Sequence, residues 1–246
     1  MNKIFNGDCN DILNDELINN INLTVTSPPY NVKLDYNLYD DNKEYDEYLN
    51  WLKIIFKKIY DKTVDGGRCI INIGDQKNGK ISLHTDIINL MNNIGWLNYT
   101  IIIWNKNHTN SRTAWGSFMS PSCPSFPRPF EYILVFSKKY YKLQHNGISD
   151  LTKNEFIEWS YGLWNIKPVH QQKDHPAKFP IEIVNRCLKM FSYVGDIVID
   201  PFMGSATTIC SCVINKRKYI GIEIDETYFK LANKNINDCI NKNTFY

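Results

Sequence analysis

Apolar residues along this chain fall into two kinds of pattern, and the two alternate. Short continuous runs predict strands: Lys3 to Phe5, Leu23 to Thr26, Cys69 to Ile73, Tyr99 to Trp104, Tyr132 to Phe136, Ile197 to Ile199 and Tyr219 to Ile222. Between them, apolar residues recur every three or four positions. Tyr45, Tyr48, Leu49, Leu52, Ile55, Phe56 and Ile59 form the clearest amphipathic stripe, predicted to stop near Asp65-Gly66-Gly67. Leu83, Ile87, Leu90, Met91 and Ile94 form a second stripe, stopped at Gly95, and Ile181, Val184, Leu188 and Phe191 a third. Asp11 to Ile18, Ala206 to about Asn215 and residues 226–240 read as further helices. Strands alternate with helices nearly throughout. That order predicts an α/β sheet with helices on both faces. No repeat or linker divides the chain, so residues 1–246 are read as a single domain.

Two stretches stand outside the pattern. Asn105 to Pro129 carries Arg112, Trp115, Phe118, Phe126 and Arg128 among Ser, Asn, Thr and Pro, with no period. A loop this long inside a domain is usually functional or disordered. Its cations and aromatics suit a nucleic-acid surface, and suit equally a covering loop whose rings enter the core. Tyr140 to Tyr161 is weakly patterned and follows a basic pair, Lys138-Lys139.

Composition bounds the rest. The 246 residues are 43% hydrophobic and 22% charged, an ordinary globular balance, and the net charge of +2 excludes no partner. No apolar run is long enough to span a membrane, and Met1 to Asp8 lacks the apolar core of a signal peptide. A cytoplasmic protein is expected. The seven cysteines are scattered, and Cys210-x-Cys212 lacks the spacing of a zinc site, so reduced core thiols and no metal are expected.

Chemistry concentrates at two strand ends. After Thr26 come Ser27-Pro28-Pro29-Tyr30. The prolines fix their own φ, donate no N–H and hold the preceding residues extended. The result is a rigid spur offering the Ser27 hydroxyl, the carbonyls of Ser27 and Pro28, and the Tyr30 ring. These groups suit a flat ligand bearing an exocyclic amine; they would also be found in a strand followed by a plain Pro-Pro turn. The other strand end reads Asp200-Pro201-Phe202-Met203-Gly204-Ser205-Ala206-Thr207-Thr208 and runs into a helix. Small residues there let a ligand approach backbone and a helix N-terminus. Glu223 closes the next strand, where folds of this kind place a carboxylate on ribose hydroxyls. G-x-G-x-x-G is absent, which disfavours a nicotinamide cofactor.

Taken together, these residues resemble the β class of amino-group DNA methyltransferases. Thr26 to Tyr30 matches the catalytic (D/N/S)-P-P-(Y/F/W) motif, and Asp200 to Ser205 matches the cofactor loop D-P-F-x-G-S. His175-Pro176-Ala177-Lys178-Phe179-Pro180 resembles the cofactor motif preceding that loop. Asn6-Gly7-Asp8-Cys9 resembles the acidic element before the catalytic strand, and Arg128-Pro129-Phe130-Glu131-Tyr132 the segment opening the last strand. The order, catalytic motif first and cofactor loop last, is that of the β class. Ala206 stands where the family usually has Gly; a helix N-terminus is expected to tolerate it.

The resemblance implies a Rossmann-like class I methyltransferase fold, with a mostly parallel seven-stranded sheet and the catalytic strand beside the cofactor strand. It implies S-adenosyl-L-methionine as cofactor. Asp8 would reach its adenine, Glu223 its ribose, and the backbone around Phe202 to Ala206, with Lys178 and Phe179, its methionine end. Thr26, Asp200, Pro201, Gly204, Ser205, Ala206 and Thr207 complete the expected cofactor set. Ser27 and the Pro28 carbonyl would accept from the target amine, Pro29 would stiffen the spur, and Tyr30 would stack on a base flipped out of duplex DNA. The transfer is direct and needs no cysteine nucleophile. Arg112, Trp115, Arg128, Lys138 and Lys139 are the expected DNA contacts, with target recognition within 105–129 and 140–161. Ser27, rather than Asp, points to cytosine N4, with adenine N6 as the alternative. A homodimer and a cognate restriction endonuclease are expected partners. An RNA or protein methyltransferase and a non-catalytic DNA-binding subunit are the other readings.

Overall fold

The computed structural model describes residues 2–31, 44–76, 79–107, 116–126, 128–169 and 180–243. Its strands are β1 (Asn2–Asn6), β2 (Ile21–Thr26), β3 (Thr63–Ile73), β4 (Trp96–Asn105), β5 (Phe130–Lys138), β6 (Leu163–Asn165), β7 (Ile197–Asp200) and β8 (Lys218–Glu223). Its helices are α1 (Cys9–Ile12), α2 (Tyr45–Lys62), α3 (Leu83–Ile94), α4 (Lys153–Trp159), α5 (Ile181–Phe191), α6 (Thr207–Ile214) and α7 (Glu226–Asn243).

Among the described residues the strands form one sheet in the order β1-β8-β7-β2-β3-β5-β4-β6. β5 runs antiparallel to β3 and β4, and the remaining pairings are parallel. The expected sheet therefore holds, with one strand more than the seven predicted. The addition, β6, is three residues long with only Trp164 buried, too short to leave a periodic signal.

Each face of the sheet is covered. Leu23, Val25, Ile70 and Val198 face a core completed by Ile183, Val184 and Leu188 of α5 and Ile209 of α6. On the opposite face, Cys69, Ile71, Ile73 and Ile199 meet Leu52, Ile55, Phe56 and Ile59 of α2 and Leu83, Ile87 and Met91 of α3. Successive strand residues point to opposite faces, so one strand feeds both cores. Each fully buried aliphatic side chain contributes about 1.5–3 kcal/mol before the entropy of ordering it is subtracted.

Boundaries moved where backbone chemistry overrode the pattern. Helix α2 ends at Lys62, and β3 begins at once with Thr63. Asp65-Gly66-Gly67 lies inside this strand rather than in a helix stop, and the β2–β3 register shifts between Ile21 and Leu23 to accommodate it. Gly66 sits at φ +76°, and a Cβ there would come within 2.5 Å of the Lys142 carbonyl. The expected helix at Asp11 to Ile18 is reduced to the single turn α1, capped by the Asp8 side chain on the Asn10 N–H. Helix α4 carries a capping box, Thr152 with Glu155, that the reading of 140–161 missed.

Strand direction starts the two unpatterned stretches from opposite ends of the sheet. The β4–β5 connection leaves from Asn105 and returns at Phe130, at the carboxyl end of β3. Residues 140–161 begin at the other end. His145 bonds Asp196, Asp150 pairs with Arg217, and Glu155 pairs with Lys189, which ties the segment to the amino ends of β7 and β8 and to α5. The first part of 140–161 is therefore fixed at the amino ends of the strands, while its last residues lead into Gly162, whose carbonyl accepts the Ile103 N–H at 2.8 Å, and into β6 beside the carboxyl end of β4.

Lys138 and Lys139 also lie at the amino end, because β5 is antiparallel. Lys138 is buried, and its Nζ donates to the carbonyls of Tyr60 (2.7 Å) and Thr63 (2.6 Å). It serves the last turn of α2, where a cation complements exposed carbonyls. Lys139 pairs with Asp65 on the surface of the same end. Lys138→Ala is expected to lower stability by about 2 kcal/mol, read as a lower urea midpoint with an unchanged slope.

Candidate active site

The adjacency of β2 and β7 brings together what the chain separates. Leu23 pairs with Val198 and Thr24 with Ile199, so both strands end at the same level. Two residues further on, Thr26 Oγ1 donates to Asp200 Oδ1 at 2.7 Å. Past this bond the two loops diverge around one cavity, lined by Ser27 to Tyr30, Asp200 to Ser205, Thr207, Gly7, Asp8, Trp51, Glu223 and Tyr228. Open parallel sheets bind ligands in this position, outside the carboxyl ends of adjacent strands.

The spur is held from outside. Tyr48 Oη donates to the Pro29 carbonyl at 2.7 Å, and Gln76 Nε2 donates to the Tyr30 carbonyl. The Pro28 carbonyl accepts no hydrogen bond from the described residues. Ser27 Oγ donates to the Asn72 carbonyl at 3.2 Å and lies 3.3 Å from Tyr30 Oη. A hydroxyl whose proton is directed to a carbonyl keeps its lone pairs for an incoming donor. The spur thus presents two oxygen acceptors beside one aromatic ring.

The opposite loop is held through its acids. Asp200 also accepts the Phe202 N–H at 3.1 Å. Burial is the largest influence on its carboxyl, raising the pKa from 3.8 to about 6 against the hydrogen bonds from Thr26, Thr208 and Phe202. Glu223 accepts Gly204 N–H at 2.9 Å on one oxygen and Asp225 N–H at 2.8 Å on the other. Burial raises its pKa as well. Asn235 Nδ2 of α7 supports the Ser205 carbonyl at 2.9 Å. Ala206, at the N-cap of α6, sits at φ +71° and ψ 33°. This is the left-handed region, disfavoured for an L-residue by about 1–2 kcal/mol, so the departure from Gly costs strain that an ordinary helix N-terminus would not. A packing demand on the next strand keeps the loop close: a Cβ on Gly221 would lie 2.4 Å from Met203 Sδ.

Asp8, Ser27, Pro28, Pro29, Tyr30, Asp200, Pro201, Phe202, Gly204, Ser205, Thr207 and Glu223 all line the cavity, and Thr26 braces it. Ala206 is buried just behind it. Arg112, Trp115, Lys178 and Phe179 lie outside the described residues. Arg128 stands at the correct end of the sheet, but its guanidinium pairs with the buried carboxylate of Asp75. Asp75 also bonds His84 at 2.6 Å, and His84 stacks on Tyr132 with ring centroids 3.9 Å apart. Arg128 therefore braces two segments together. Of the described β4–β5 residues, Phe118, Met119 and Phe126 are exposed.

Sequence reasoning missed Trp51 and Tyr228. Trp51 reaches the cavity from the first half of α2, its ring centroid 5.5 Å from that of Phe202. The signal available was an aromatic three residues after Tyr48, off the main stripe of the helix. Among the described residues no cluster of His, Cys, Asp or Glu could hold a metal, and no helix is long and apolar enough to cross a membrane. The seven cysteines are free, Cys123 exposed and most others buried.

The chain is similar to known proteins in sequence and in fold. The DNA methylase family model for N6/N4 enzymes matches residues 21–234. The Type II methyltransferase M.MjaI of Methanocaldococcus jannaschii is 32% identical over 92% of this chain and 88% of its own length. M.MjaVI of the same organism is 46% identical over 63% of this chain and 81% of its own. A DNA modification methylase of Thermus thermophilus, solved in complex with S-adenosyl-L-methionine, is 28% identical with a TM-score of 0.77, covering 98% of this chain and 96% of that one. The cytosine-N4-specific PvuII DNA methyltransferase is 21% identical with a TM-score of 0.73, over 98% of this chain and 92% of that one, a likeness of fold. With two loops converging on one cavity and a family match over most of its length, the chain belongs to the N6/N4 DNA methylases, the S-adenosylmethionine-dependent amino-group methyltransferases of restriction–modification type.

Proposed function

We propose that this protein transfers methyl from S-adenosyl-L-methionine to the exocyclic N4 of a cytosine flipped out of duplex DNA at a specific site. The observation carrying this reading is the cavity shared by Ser27 to Tyr30 and Asp200 to Ser205, joined at its base by the Thr26–Asp200 bond. In this reading the cofactor lies along the Asp200 loop. The Gly204 and Ser205 backbone meets its methionine end, Glu223 receives ribose hydroxyls on lone pairs left by Gly204 and Asp225, and Asp8 faces the adenine. Trp51 and Phe202 offer ring surface between them.

The amine of cytosine is a poor nucleophile because its lone pair is delocalised into the ring. Ser27 Oγ and the Pro28 carbonyl accept its two N–H groups, favour a more tetrahedral nitrogen and aim the lone pair at the sulfonium methyl. The C–S bond breaks as the N–C bond forms, and the surplus amine proton passes to water. Acceptors fixed in advance supply most of the rate enhancement. Tyr30 stacks on the flipped base, which is worth about 1–3 kcal/mol. Target recognition is assigned to residues 105–129, which leave the sheet at this end.

Digestion of methylated DNA to nucleosides tests the base. N4-methylcytosine is expected; N6-methyladenine alone would assign the adenine reading, and label on tRNA but not duplex DNA would reject both. In the same assay Tyr30→Ala is expected to lower transfer about 10- to 100-fold with cofactor affinity nearly unchanged.

Asp200 has a second signature. Its raised pKa means that the folded state holds the proton more tightly than the unfolded chain between pH 3.8 and about 6. This group's contribution to stability therefore falls as pH rises through that window and stays low above it. Asp200→Asn is expected to raise stability at pH 7.5 by about 1–3 kcal/mol, with the gain vanishing below about pH 4, while weakening cofactor binding. Denaturant titrations across pH, set beside cofactor calorimetry, measure both.

The names of the relatives as Type II methyltransferases support a setting with a cognate restriction endonuclease. Exposed Tyr99 and Ile101 on β4 and Leu163 on the neighbouring β6 support a homodimer. Sedimentation equilibrium is expected to give twice the 28.8 kDa chain mass, and a monomer at assay concentrations would end that part of the reading.

A further inference from the structure

Behind the spur lies a half-buried polar cluster that the reaction as described does not use. Tyr30 Oη donates to Glu131 Oε2 at 3.1 Å and accepts from Asn72 Nδ2 at 3.1 Å. Asn72 Nδ2 also donates to Glu131 Oε2 at 2.7 Å. The other carboxylate oxygen, Oε1, receives Lys106 Nζ at 2.5 Å. The four residues come from four places: the spur, β3, β5 and the residue following β4. The β4–β5 register sets Glu131 opposite Trp104, and the β3–β5 register sets Asn72 opposite Ile133, so backbone pairing alone brings these side chains to the carboxyl end.

The space around the cluster is close-fitting. A Cβ on Gly74 would approach Glu131 Cγ to 3.3 Å and Tyr30 Cε2 to 3.5 Å. Asn72 is 4% exposed, and its Oδ1 is buried without a hydrogen-bond partner among the described residues. A buried acceptor left unpaired is costly. Here the amide nitrogen is committed to Tyr30 and Glu131 while the oxygen of the same side chain goes unsatisfied. Neither Asn72 nor Glu131 lines the cavity, whereas Tyr30 does. The cluster therefore reaches the substrate through Tyr30.

We propose that Glu131 is a positioning residue that, with Asn72 and braced by Lys106, anchors the Tyr30 hydroxyl and so fixes where the ring axis points against the flipped base. The inference rests on the reading of Tyr30 as the base platform. Stacking needs a ring face close to parallel with the base. A tyrosine attached only at Cβ can swing about χ1. A second attachment at Oη stops that swing and fixes the direction of the ring axis. Because Oη lies on the χ2 axis, the turn of the ring is biased only by the in-plane preference of the phenolic hydrogen bonds. Lys106 neutralises the carboxylate and holds it in place, so the anchor is already set before the base arrives. Phenylalanine at position 30 would keep the stacking face and lose the anchor.

A double-mutant cycle tests this, with labelled methyl transfer to DNA from a host lacking the enzyme as the assay and cofactor calorimetry and thermal melting as controls. Tyr30→Phe and Glu131→Ala are each expected to lower kcat/KM for DNA about tenfold, and the double variant to be no worse than either, because both remove one contact. Glu131→Gln, which keeps an acceptor for Tyr30 and Asn72, is expected to recover most of the loss. Cofactor affinity should stay at the wild-type value throughout. Losses that multiply in the double variant, or a Glu131→Ala enzyme as active as wild type, would overturn the proposal. Should Glu131→Ala not fold, the same cycle run with Asn72→Ala reads the same coupling. Full activity in Tyr30→Ala would instead remove the platform itself, whereas an inactive Tyr30→Ala beside a fully active Glu131→Ala would reject the anchor alone.

Discussion

The active end of this molecule depends on one hydrogen bond between side chains 174 positions apart, from Thr26 to Asp200. It forms because β2 and β7 are neighbours in the sheet and end at the same level. The bond closes the base of the cavity, and both loops start from it. Everything beyond it is arranged at a distance set by the strand spacing of a parallel sheet, about 4.8 Å. The Ser27 to Tyr30 spur on one strand end and the Asp200 to Ser205 loop on the next therefore face each other across one cavity.

That arrangement has a cost, carried at identifiable residues. Asp200 keeps a carboxylate in a buried place that pushes its pKa up to about 6. Ala206 takes a left-handed backbone so that α6 can begin immediately behind the loop. Asn72 has an acceptor without a partner among the described residues, beside Tyr30. Strain and unmet polar demand gather where the two loops meet, while the two hydrophobic cores on either side of the sheet are regular. Stable cores on both faces allow the strand ends to hold such features.

Much of this was legible in the chain. Periodicity located the strands and the main helices because each buries a face, and burial imposes its period on sequence. The motifs at Ser27 to Tyr30 and Asp200 to Ser205 were legible because rigid turns and close backbone approach demand particular residues: prolines in one, glycine and small side chains in the other. Less legible were the residues whose roles depend on pairing. Lys138 reads as half of a basic surface pair, yet an antiparallel β5 carries it to the far end, under the last turn of α2. Arg128 reads as a DNA contact, yet Asp75 claims it. Residues 140–161 read as an open recognition segment, yet Asp150 and His145 tie them to the amino ends of β7 and β8.

The amino-acid sequence by itself determined the class of fold, the two loops that carry chemistry and the order in which they occur. Those properties are local: they follow from which φ values, donors and apolar faces a short stretch can offer. Only the tertiary structure decided that the two loops share one cavity, that Trp51 joins it, that Glu223 spends two lone pairs on Gly204 and Asp225, and that Tyr30 is tethered to Asn72 and Glu131. These are questions of strand order and direction. Side chains meet at hydrogen-bond distance only after the sheet has chosen its neighbours, and no single stretch of the chain contains that choice.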